Sequence, residues 1–283
     1  MGLQETFWRL AATGLFPRRW ALGSLPNIPT APTSDSRPDR PLHIEIVSHC
    51  WRYHRLLSYQ LSSLVLHPPK GCRVTMTVFH TPSDQGTVRT LEHFSSRAPP
   101  GVEWSWRPLS PGELFRRGIG RNRAALATSA DWIWFSDCDV IFHEGALDAA
   151  AEVLAEQDAI LCFPRTHGVT ELLDPEHAWL QPEGNGEDQI VDVDPDAFVP
   201  EIRQKAVGGF QIVRGDVARA VGYCRSIPLY QKPAVRWRKT YEDRALRWIL
   251  GTQGTPVEIP GLYRIRHRVK GRKTGSGQTF RVR

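Results

Sequence analysis

Two aspartates one residue apart are the most distinctive chemical feature of the sequence. Asp137 and Asp139 lie within the run 130–142, where an apolar segment rich in aromatic and β-branched side chains predicts a buried strand that ends at these two carboxylates. Side chains two apart on a strand share a face, so both carboxylates can point to the same side. Such oxygen ligands suit a hard divalent cation that keeps open positions for water or phosphate. A solvated acidic turn is the simpler alternative, and the surrounding elements must decide between the two.

A second acidic pair begins a later amphipathic helix. Glu242 and Asp243 precede an apolar-periodic segment that ends at Gly251, which predicts a helix over 242–250. Acids in a first turn complement the helix dipole, which would account for the pair without any catalysis. The alternative is a carboxylate placed to take a proton from a substrate.

Strands and helices alternate along the first half of the chain. Strands are predicted at 43–48, at 74–79, at 102–106 and in the run that ends at Asp137 and Asp139, and helices at 57–65, 82–94 and 110–127. This alternation is typical of right-handed βαβ units and predicts an α/β fold with a mainly parallel sheet flanked by helices. Ligands bind such sheets beyond the carboxyl ends of the strands, which is where the first acidic pair falls.

The second half is less regular. A helix at 146–154 and a strand at 159–163 are followed by residues 165–206, which are rich in acids, Pro and Gly and predict a long loop that closes over a substrate. Its acids lack the EF-hand pattern, so calcium binding is disfavoured. Gly208 and Gly209 then give a flexible entry to a further strand, which a short helix follows at 216–221.

Composition indicates a globular protein with an anionic partner. The 283 residues are 41% hydrophobic and 23% charged, and the formal net charge is +6. This charge suits nucleic acid, an anionic membrane surface or a phosphorylated ligand. Five scattered cysteines without C-x-x-C spacing disfavour a zinc site or a disulfide framework and fit a reducing compartment. We therefore predict a cytoplasmic protein.

Two terminal segments differ from the rest. Residues 1–41 interleave aromatic and basic side chains and lack a secretory h-region, so they form either a peripheral contact with the inner face of a membrane, a flexible arm, or an arm packed on the domain. Residues 269–283 are a basic tail, which suits either a solvated end or a phosphate-binding lid.

Over about residues 42–268 the chain resembles the family 2 type of nucleotide-sugar glycosyltransferases, which have the GT-A (Rossmann-like) fold. The most specific part is 120–139, which looks like the family's Ala-Arg-Asn helix, strand and Asp-x-Asp motif. The Gly208-Gly209 and Glu242-Asp243 blocks are similar to its acceptor-side glycine segment and its Glu-Asp motif. The resemblance implies a single catalytic domain of this fold.

The resemblance also implies roles for the acidic residues. Asp137 would bind the ribose or help to hold a cation, and Asp139 would ligate Mn²⁺ or Mg²⁺, with His267 completing the coordination. Asp243 would be the general base that deprotonates an acceptor hydroxyl, with inversion at the sugar, and Glu242 a helper. The implied reaction moves a sugar from a UDP- or GDP-sugar to a glycan or another hydroxyl acceptor, in glycan biosynthesis.

Further positions are implied to bind the donor. They are Ser48, Asp84, Arg121, Asn122, Asp137, Gly208 and Gly209. Residues 80–87 depart from the acidic run that the family has after its second strand, so Asp84 would take over the missing acidic role. Residues 48–51 also depart from the family's pattern, which points to an unusual donor preference.

Two other functions remain open from the sequence. A nucleotidyltransferase can use a similar sheet, but it would carry a glycine-rich phosphate loop after the first strand, and residues 48–52 have no glycine. A non-catalytic protein of GT-A-like fold could bind anionic membrane or nucleic acid through its basic surface and ten Trp. Nucleic acid is the less favoured partner, because such a protein would not need Asp137, Asp139 and Asp243 together.

Overall fold

Alternating apolar strands and amphipathic helices build two sheets in the computed structural model, which describes residues 3–12, 17–23, 26–30, 40–181, 189–235 and 241–268. The strands are β1 (Leu42–His49), β2 (Cys72–His80), β3 (Val102–Pro108), β4 (Trp132–Phe135), β5 (Val140–Phe142), β6 (Leu161–Pro164), β7 (Thr166–Val169), β8 (Val199–Ile202), β9 (Gln211–Arg214), β10 (Thr255–Val257) and β11 (Leu262–Arg264). The helices are α1 (Leu3–Leu10), α2 (Arg18–Leu22), α3 (His54–Leu66), α4 (Gln85–Ser95), α5 (Pro111–Leu114), α6 (Arg117–Ala127), α7 (Ala146–Ala155), α8 (Gly215–Val221) and α9 (Glu242–Leu250).

The larger sheet has seven strands in the order β10-β6-β9-β4-β1-β2-β3. Neighbours run parallel except around β9, which is antiparallel to both β4 and β6. The predicted α/β fold with a mainly parallel sheet flanked by helices is therefore confirmed. Because β1 and β4 are adjacent and parallel, the chain segments that follow them meet at one edge of the sheet.

Alternation along β4 divides the core into two layers. Trp132 and Trp134 pack into the cluster that contains the apolar face of α3, whereas Ile133 and Phe135 pack into the cluster beneath α6, α8 and α9. All four side chains are buried, as period-two alternation in a strand covered on both faces requires. The sheet edge beyond β4 is thus held rigidly from both sides.

A smaller sheet, β5-β11-β7-β8, is built from segments far apart in sequence. The run 130–142 forms two strands, because β4 ends at Phe135, the chain turns through residues 136–139, and β5 enters this second sheet. The predicted loop at 165–206 was wrong in part, because β7 and β8 lie within it and pair with each other. Residues 182–188 of that loop lie outside the described residues.

Two predicted helices differ in their start or continuity. Ser110 and Glu113 form a capping box at the start of the predicted helix 110–127, but the helix that they begin stops at Leu114, and α6 starts anew at Arg117. The helix after β2 begins at Gln85 with Asp84 as its N-cap, three residues later than the predicted start at residue 82. A side chain predicted to bind a ligand therefore caps a helix.

The N-terminal segment packs on the domain where it is described. Ala11 and Ala12 are buried, and Trp8 packs against the cluster beneath α9. Arg18 Nη1 donates a 3.2 Å hydrogen bond to the Ile249 carbonyl at the end of α9. Of the three alternatives for residues 1–41, packing on the domain is thus seen for part of the segment, whereas the basic tail 269–283 lies outside the described residues. No described helix has the length and apolarity needed to cross a bilayer.

Candidate active site

A buried glutamine fixes residues 136–139, the acidic turn between β4 and β5. Gln60 of α3 has no exposed surface, and its Nε2 donates to the carbonyls of Asp137 and Val140, each at 3.0 Å. Ser48 at the end of β1 donates from its hydroxyl to Gln60 Oε1 at 2.7 Å. Since these buried bonds orient the amide, Ser48 positions the turn through Gln60 rather than facing it directly.

Asp137 is held by two arginines of α6. Arg117 Nη1 lies 2.6 Å and Arg121 Nη2 lies 3.2 Å from the same carboxylate oxygen, Oδ1. Burial by itself raises the pKa of Asp137, but the positive charges, led by Arg117 and Arg121, outweigh it and lower this pKa to about 2. The carboxylate is therefore ionised and already paired at neutral pH.

Asp139 has different neighbours on the second sheet. Arg264 of β11 donates from Nε to Asp139 Oδ2 at 3.1 Å, and His267 Nε2 lies 3.8 Å from the same oxygen. The other oxygen, Oδ1, is buried and has no hydrogen-bond partner among the described residues. A buried carboxylate oxygen without a partner is costly, so this atom could accept a ligand from outside the described residues.

The three predicted metal ligands are not equivalent in geometry. Within the described ranges, Asp137, Asp139 and His267 do not bring three ligand atoms within 4.8 Å of one another. Asp139 and His267 fit a divalent cation, because one offers an unpaired oxygen and the other an imidazole nitrogen close by. Asp137 instead has its Oδ1 occupied by arginine.

The start of α9 lies against the beginning of α6. Glu242 is buried, and its Oε1 accepts a 3.2 Å hydrogen bond from the Gly118 backbone N–H. Asp243, one residue on, keeps 30% of its side chain exposed, and its Oδ2 is 3.7 Å from Arg247 Nη1. Of the two acids, Asp243 is therefore the one that an external molecule can reach.

A buried hydrogen-bond chain connects this helix start to the acidic turn. Gln211 of β9 donates from Nε2 to the Asp243 carbonyl at 3.2 Å and accepts from the Tyr223 hydroxyl at 3.0 Å. That hydroxyl accepts from Arg121 Nη1 at 2.9 Å, and Arg121 Nη2 contacts Asp137. Asp137 and the backbone of Asp243 thus belong to one network.

The predicted glycine segment lies directly against Asp137. A Cβ atom added to Gly209 would lie 2.8 Å from the Asp137 backbone nitrogen, closer than real Cβ contacts. Gly208 has φ +58°, a conformation that favours glycine, and its Cβ position faces Asp137 Oδ2 at 3.6 Å. Both glycines therefore let the backbone approach the acidic turn.

Two predicted donor-binding side chains make contacts within the protein. Asn122 Oδ1 accepts a 3.0 Å hydrogen bond from the Tyr223 backbone N–H. Asp84 caps α4, where its Oδ2 accepts from the Thr87 hydroxyl at 2.7 Å and also from the Arg52 backbone N–H. Both polar side chains are therefore accounted for by contacts within the protein, and neither requires a ligand.

Several site residues were not singled out from the sequence. Arg117 lies one helical turn before Arg121 and could have been found from that i, i+4 spacing. Arg264 comes beside Asp139 through the pairing of β11 with β5, which the sequence does not show. His49, directly at the end of β1, stacks on Phe79 at 4.9 Å, and burial, followed by Arg121 and other nearby charges, keeps its pKa well below the usual range.

An open cavity of about 500 Å³ lies on the same sheet edge, beyond β2 and β3. It is lined by Thr81, Pro82, Ser83, Pro108, Leu109, Ser110, Pro111 and Glu113. None of the acidic-turn residues contributes to it, because β1 separates β2 from β4 in the sheet.

Sequence comparison finds no matching protein-family model and no significantly similar curated protein. Among solved structures, the chain is similar to S. aureus TarS 1–349 in complex with UDP-GlcNAc, at 12% identity and a TM-score of 0.47, over 84% of this chain and 62% of that one. The UDP complex of the same protein gives 12% identity and a TM-score of 0.48, over 79% of this chain and 60% of that one. The chain thus spans about three fifths of the TarS chains that it matches.

Proposed function

We propose that this protein is an inverting, metal-dependent glycosyltransferase that moves a sugar from a nucleotide diphosphate donor to an acceptor hydroxyl. The observation that carries the proposal is the buried chain from Asp243 through Gln211, Tyr223 and Arg121 to Asp137. It joins the backbone of Asp243, whose carboxylate is accessible, to a charged turn at the ligand-binding edge of the sheet.

The acidic turn is the proposed diphosphate end of the site. Asp139 and His267 would hold Mn²⁺ or Mg²⁺, which when bound supplies positive charge to the leaving diphosphate. Arg264 orients Asp139 through Oδ2, so that Oδ1 remains directed to the cation position. Arg117 and Arg121 fix Asp137 and add positive charge on the other side of the turn.

Asp243 is the proposed general base. The acceptor hydroxyl gives its proton to the Asp243 carboxylate as its oxygen bonds to the anomeric carbon, and the bond from that carbon to the diphosphate breaks with its electron pair on the diphosphate. Gln211 and Arg247 both donate to the Asp243 carbonyl, which fixes the backbone that carries this carboxylate. Glu242 acts as a helper by fixing α6 against α9 through Gly118.

Of the residues proposed to bind the sugar donor, some lie beside the acidic turn and others hold the segments around it. Gly208 and Gly209 let the backbone lie beside the turn, and Asp84 and Ser48 shape the neighbouring loops at the ends of β2 and β1. Asn122 accepts a hydrogen bond from the Tyr223 backbone N–H, and the Tyr223 hydroxyl accepts one from Arg121. We propose a UDP- or GDP-sugar as the donor and a glycan or other hydroxyl compound as the acceptor.

A screen for nucleotide release tests the reaction. UDP- and GDP-sugars are incubated with the protein, with and without Mn²⁺, because transferases also pass sugar slowly to water. Asp243→Asn is expected to lower kcat by about 10²–10⁴-fold and leave donor affinity unchanged. The matched control is Asp196→Asn, which changes an exposed carboxylate outside the network. Full activity of the Asp243 variant would exclude its role as the base.

We also propose that residues 42–268 act as one catalytic domain of a cytoplasmic protein, which touches the inner face of a membrane through its N-terminal segment. Phe7, Leu10 and Trp20 are 40%, 43% and 82% exposed, and Arg19 lies beside Trp20 in the chain. Exposed apolar side chains next to a basic one suit an anionic interface. Sedimentation with anionic liposomes checks this: Trp20→Ser should reduce pelleting, and equal pelleting would contradict the contact.

A further inference from the structure

Three potential metal ligands converge away from the acidic turn. His67 follows the end of α3, His143 follows β5, and Asp192 lies in the segment before β8. The ligand atoms of the three side chains all lie within 4.8 Å of one another. The two imidazole rings are 4.1 Å apart between centroids. Three separate parts of the chain thus present two nitrogens and a carboxylate to one point.

The spacing of these atoms suits a shared cation better than direct hydrogen bonds. Asp192 Oδ1 is 3.6 Å from His67 Nε2 and 3.9 Å from His143 Nε2, both beyond ordinary hydrogen-bond distance. Ligands bound at about 2.0–2.1 Å to tetrahedral Zn²⁺ lie about 3.4 Å from one another. A closure of a few tenths of an ångström would bring Asp192 Oδ1 to that distance from each imidazole nitrogen.

The three ligand atoms differ in burial. His67 Nε2 is buried and has no hydrogen-bond partner among the described residues. The imidazole of His143 contacts that of His67, so both rings face the same point as Asp192 Oδ1. Asp192 is 51% exposed on its side chain, which leaves a path for the ion and for a water in a fourth position.

Surrounding contacts hold the ligands in place. The Val191 backbone N–H donates to Ser62 Oγ of α3 at 3.0 Å, and the Val193 N–H donates to Asp192 Oδ1 at 2.8 Å. Tyr263 of β11 packs edge-to-face against His143 at 5.6 Å. These contacts restrict the backbone and the ring before any ion binds.

We infer that His67, His143 and Asp192 form a structural site for a Zn²⁺-type divalent cation with nitrogen and oxygen ligands. The ion would fasten the segment around Asp192 to α3 and to the end of β5. Because β5 begins directly after Asp139, this fastening supports the acidic turn from its far side. The site uses none of the residues assigned to the glycosyl transfer, so it stands or falls independently of that function.

Zinc binding by the full chain tests the site. Protein stripped with a chelator is titrated with Zn²⁺ alone, and binding is followed by calorimetry and by the rise in Tm, which should be about 5 °C when free Zn²⁺ is 100 times its Kd. Co²⁺ should give the intense visible absorption of a tetrahedral site. Because Asp139 and His267 also offer ligands, His267→Gln is included, and this variant should retain the zinc site described above.

Two substitutions on different elements decide the assignment. His67→Gln and Asp192→Asn should each weaken Zn²⁺ binding by about 100-fold or more and remove the Co²⁺ absorption, whereas Asp196→Asn should change neither. Circular dichroism of the metal-free variants shows that they are folded. The inference is overturned if the unsubstituted chain binds no Zn²⁺, or if both folded variants bind it as tightly as the unsubstituted chain does.

Discussion

Substitution of Asp137 by Asn removes the charge that faces Arg117 and Arg121 and leaves the size of the side chain nearly unchanged. The pKa of Asp137 is about 2 in the folded protein, against an ordinary value of 3.8. At about 1.4 kcal/mol for each pKa unit, the gap corresponds to about 2 kcal/mol of stability. We expect Asp137→Asn to lower the free energy of unfolding by about this amount at neutral pH.

The stability difference between the unsubstituted chain and Asp137→Asn should decrease at low pH. Because the folded-state pKa is depressed, the ionised carboxylate contributes its full stability above pH 3.8, and the contribution is lost as the pH falls towards about 2. The difference between the unsubstituted chain and Asp137→Asn should therefore be the same at about pH 7 and pH 5, and should shrink at about pH 3. In that range the native carboxyl begins to resemble the neutral amide.

Urea unfolding followed by tryptophan fluorescence measures the difference, since the chain has ten Trp. Asp196→Asn, at an exposed position, should leave the free energy of unfolding unchanged at every pH. A loss below about 0.5 kcal/mol at neutral pH, or a loss of the same size at about pH 3, would refute the account of Asp137 as a carboxylate stabilised by arginine.

Three further outcomes are expected. Gly209→Ala should cost about 1–3 kcal/mol and more than Gly208→Ala, because its Cβ would lie 2.8 Å from the Asp137 backbone nitrogen; thermal denaturation of the pair checks this, and the reverse order would contradict it. Gln60→Leu should cost about 1–3 kcal/mol in urea unfolding, since the Asp137 and Val140 carbonyls lose the Gln60 amide as a donor, and an unchanged stability would refute its role in the turn. His49 should remain neutral in NMR titration as the pH falls through 6.5, because burial and two nearby arginines lower its pKa; a midpoint near 6.5 would show the reasoning to be wrong.

The sequence could predict the central sheet because its signals are local. Each early strand is an apolar run bounded by turn residues, and the intervening helices carry apolar residues at helical spacing. Alternation of the two then restricts the topology to parallel neighbours. The antiparallel strand β9 was found as a strand, but its direction depends on pairing with β4 and β6, which lie far away in sequence.

The second sheet could not be predicted for a related reason. β7 and β8 have four residues each, too few to show a period, and β8 is largely exposed. They exist because they pair with each other and, through β7, with β11 across about a hundred residues. An acid-rich sequence with little periodicity looked like a loop because its partners were not local.

The candidate site likewise combines local features, which the sequence shows, with tertiary contacts, which it does not. Asp137, Asp139 and Asp243 stand out because strand ends and helix starts can be found locally, whereas their partners are set by tertiary packing. Nothing in the sequence indicated that Gln60 would hold the acidic turn. Scattered cysteines argued against zinc, but the cluster around His67 uses no cysteine and draws its ligands from three distant segments.

The central claim is that the acidic turn binds a nucleoside diphosphate together with a divalent cation. Isothermal titration of UDP and GDP, with and without Mn²⁺, tests it most directly. We expect one of the two nucleotides to bind more tightly with Mn²⁺, and Asp139→Asn to abolish that gain because Asp139 Oδ1 loses its charge at the cation position. Absence of binding by both nucleotides, or binding that ignores Mn²⁺ and survives Asp139→Asn, would contradict the account.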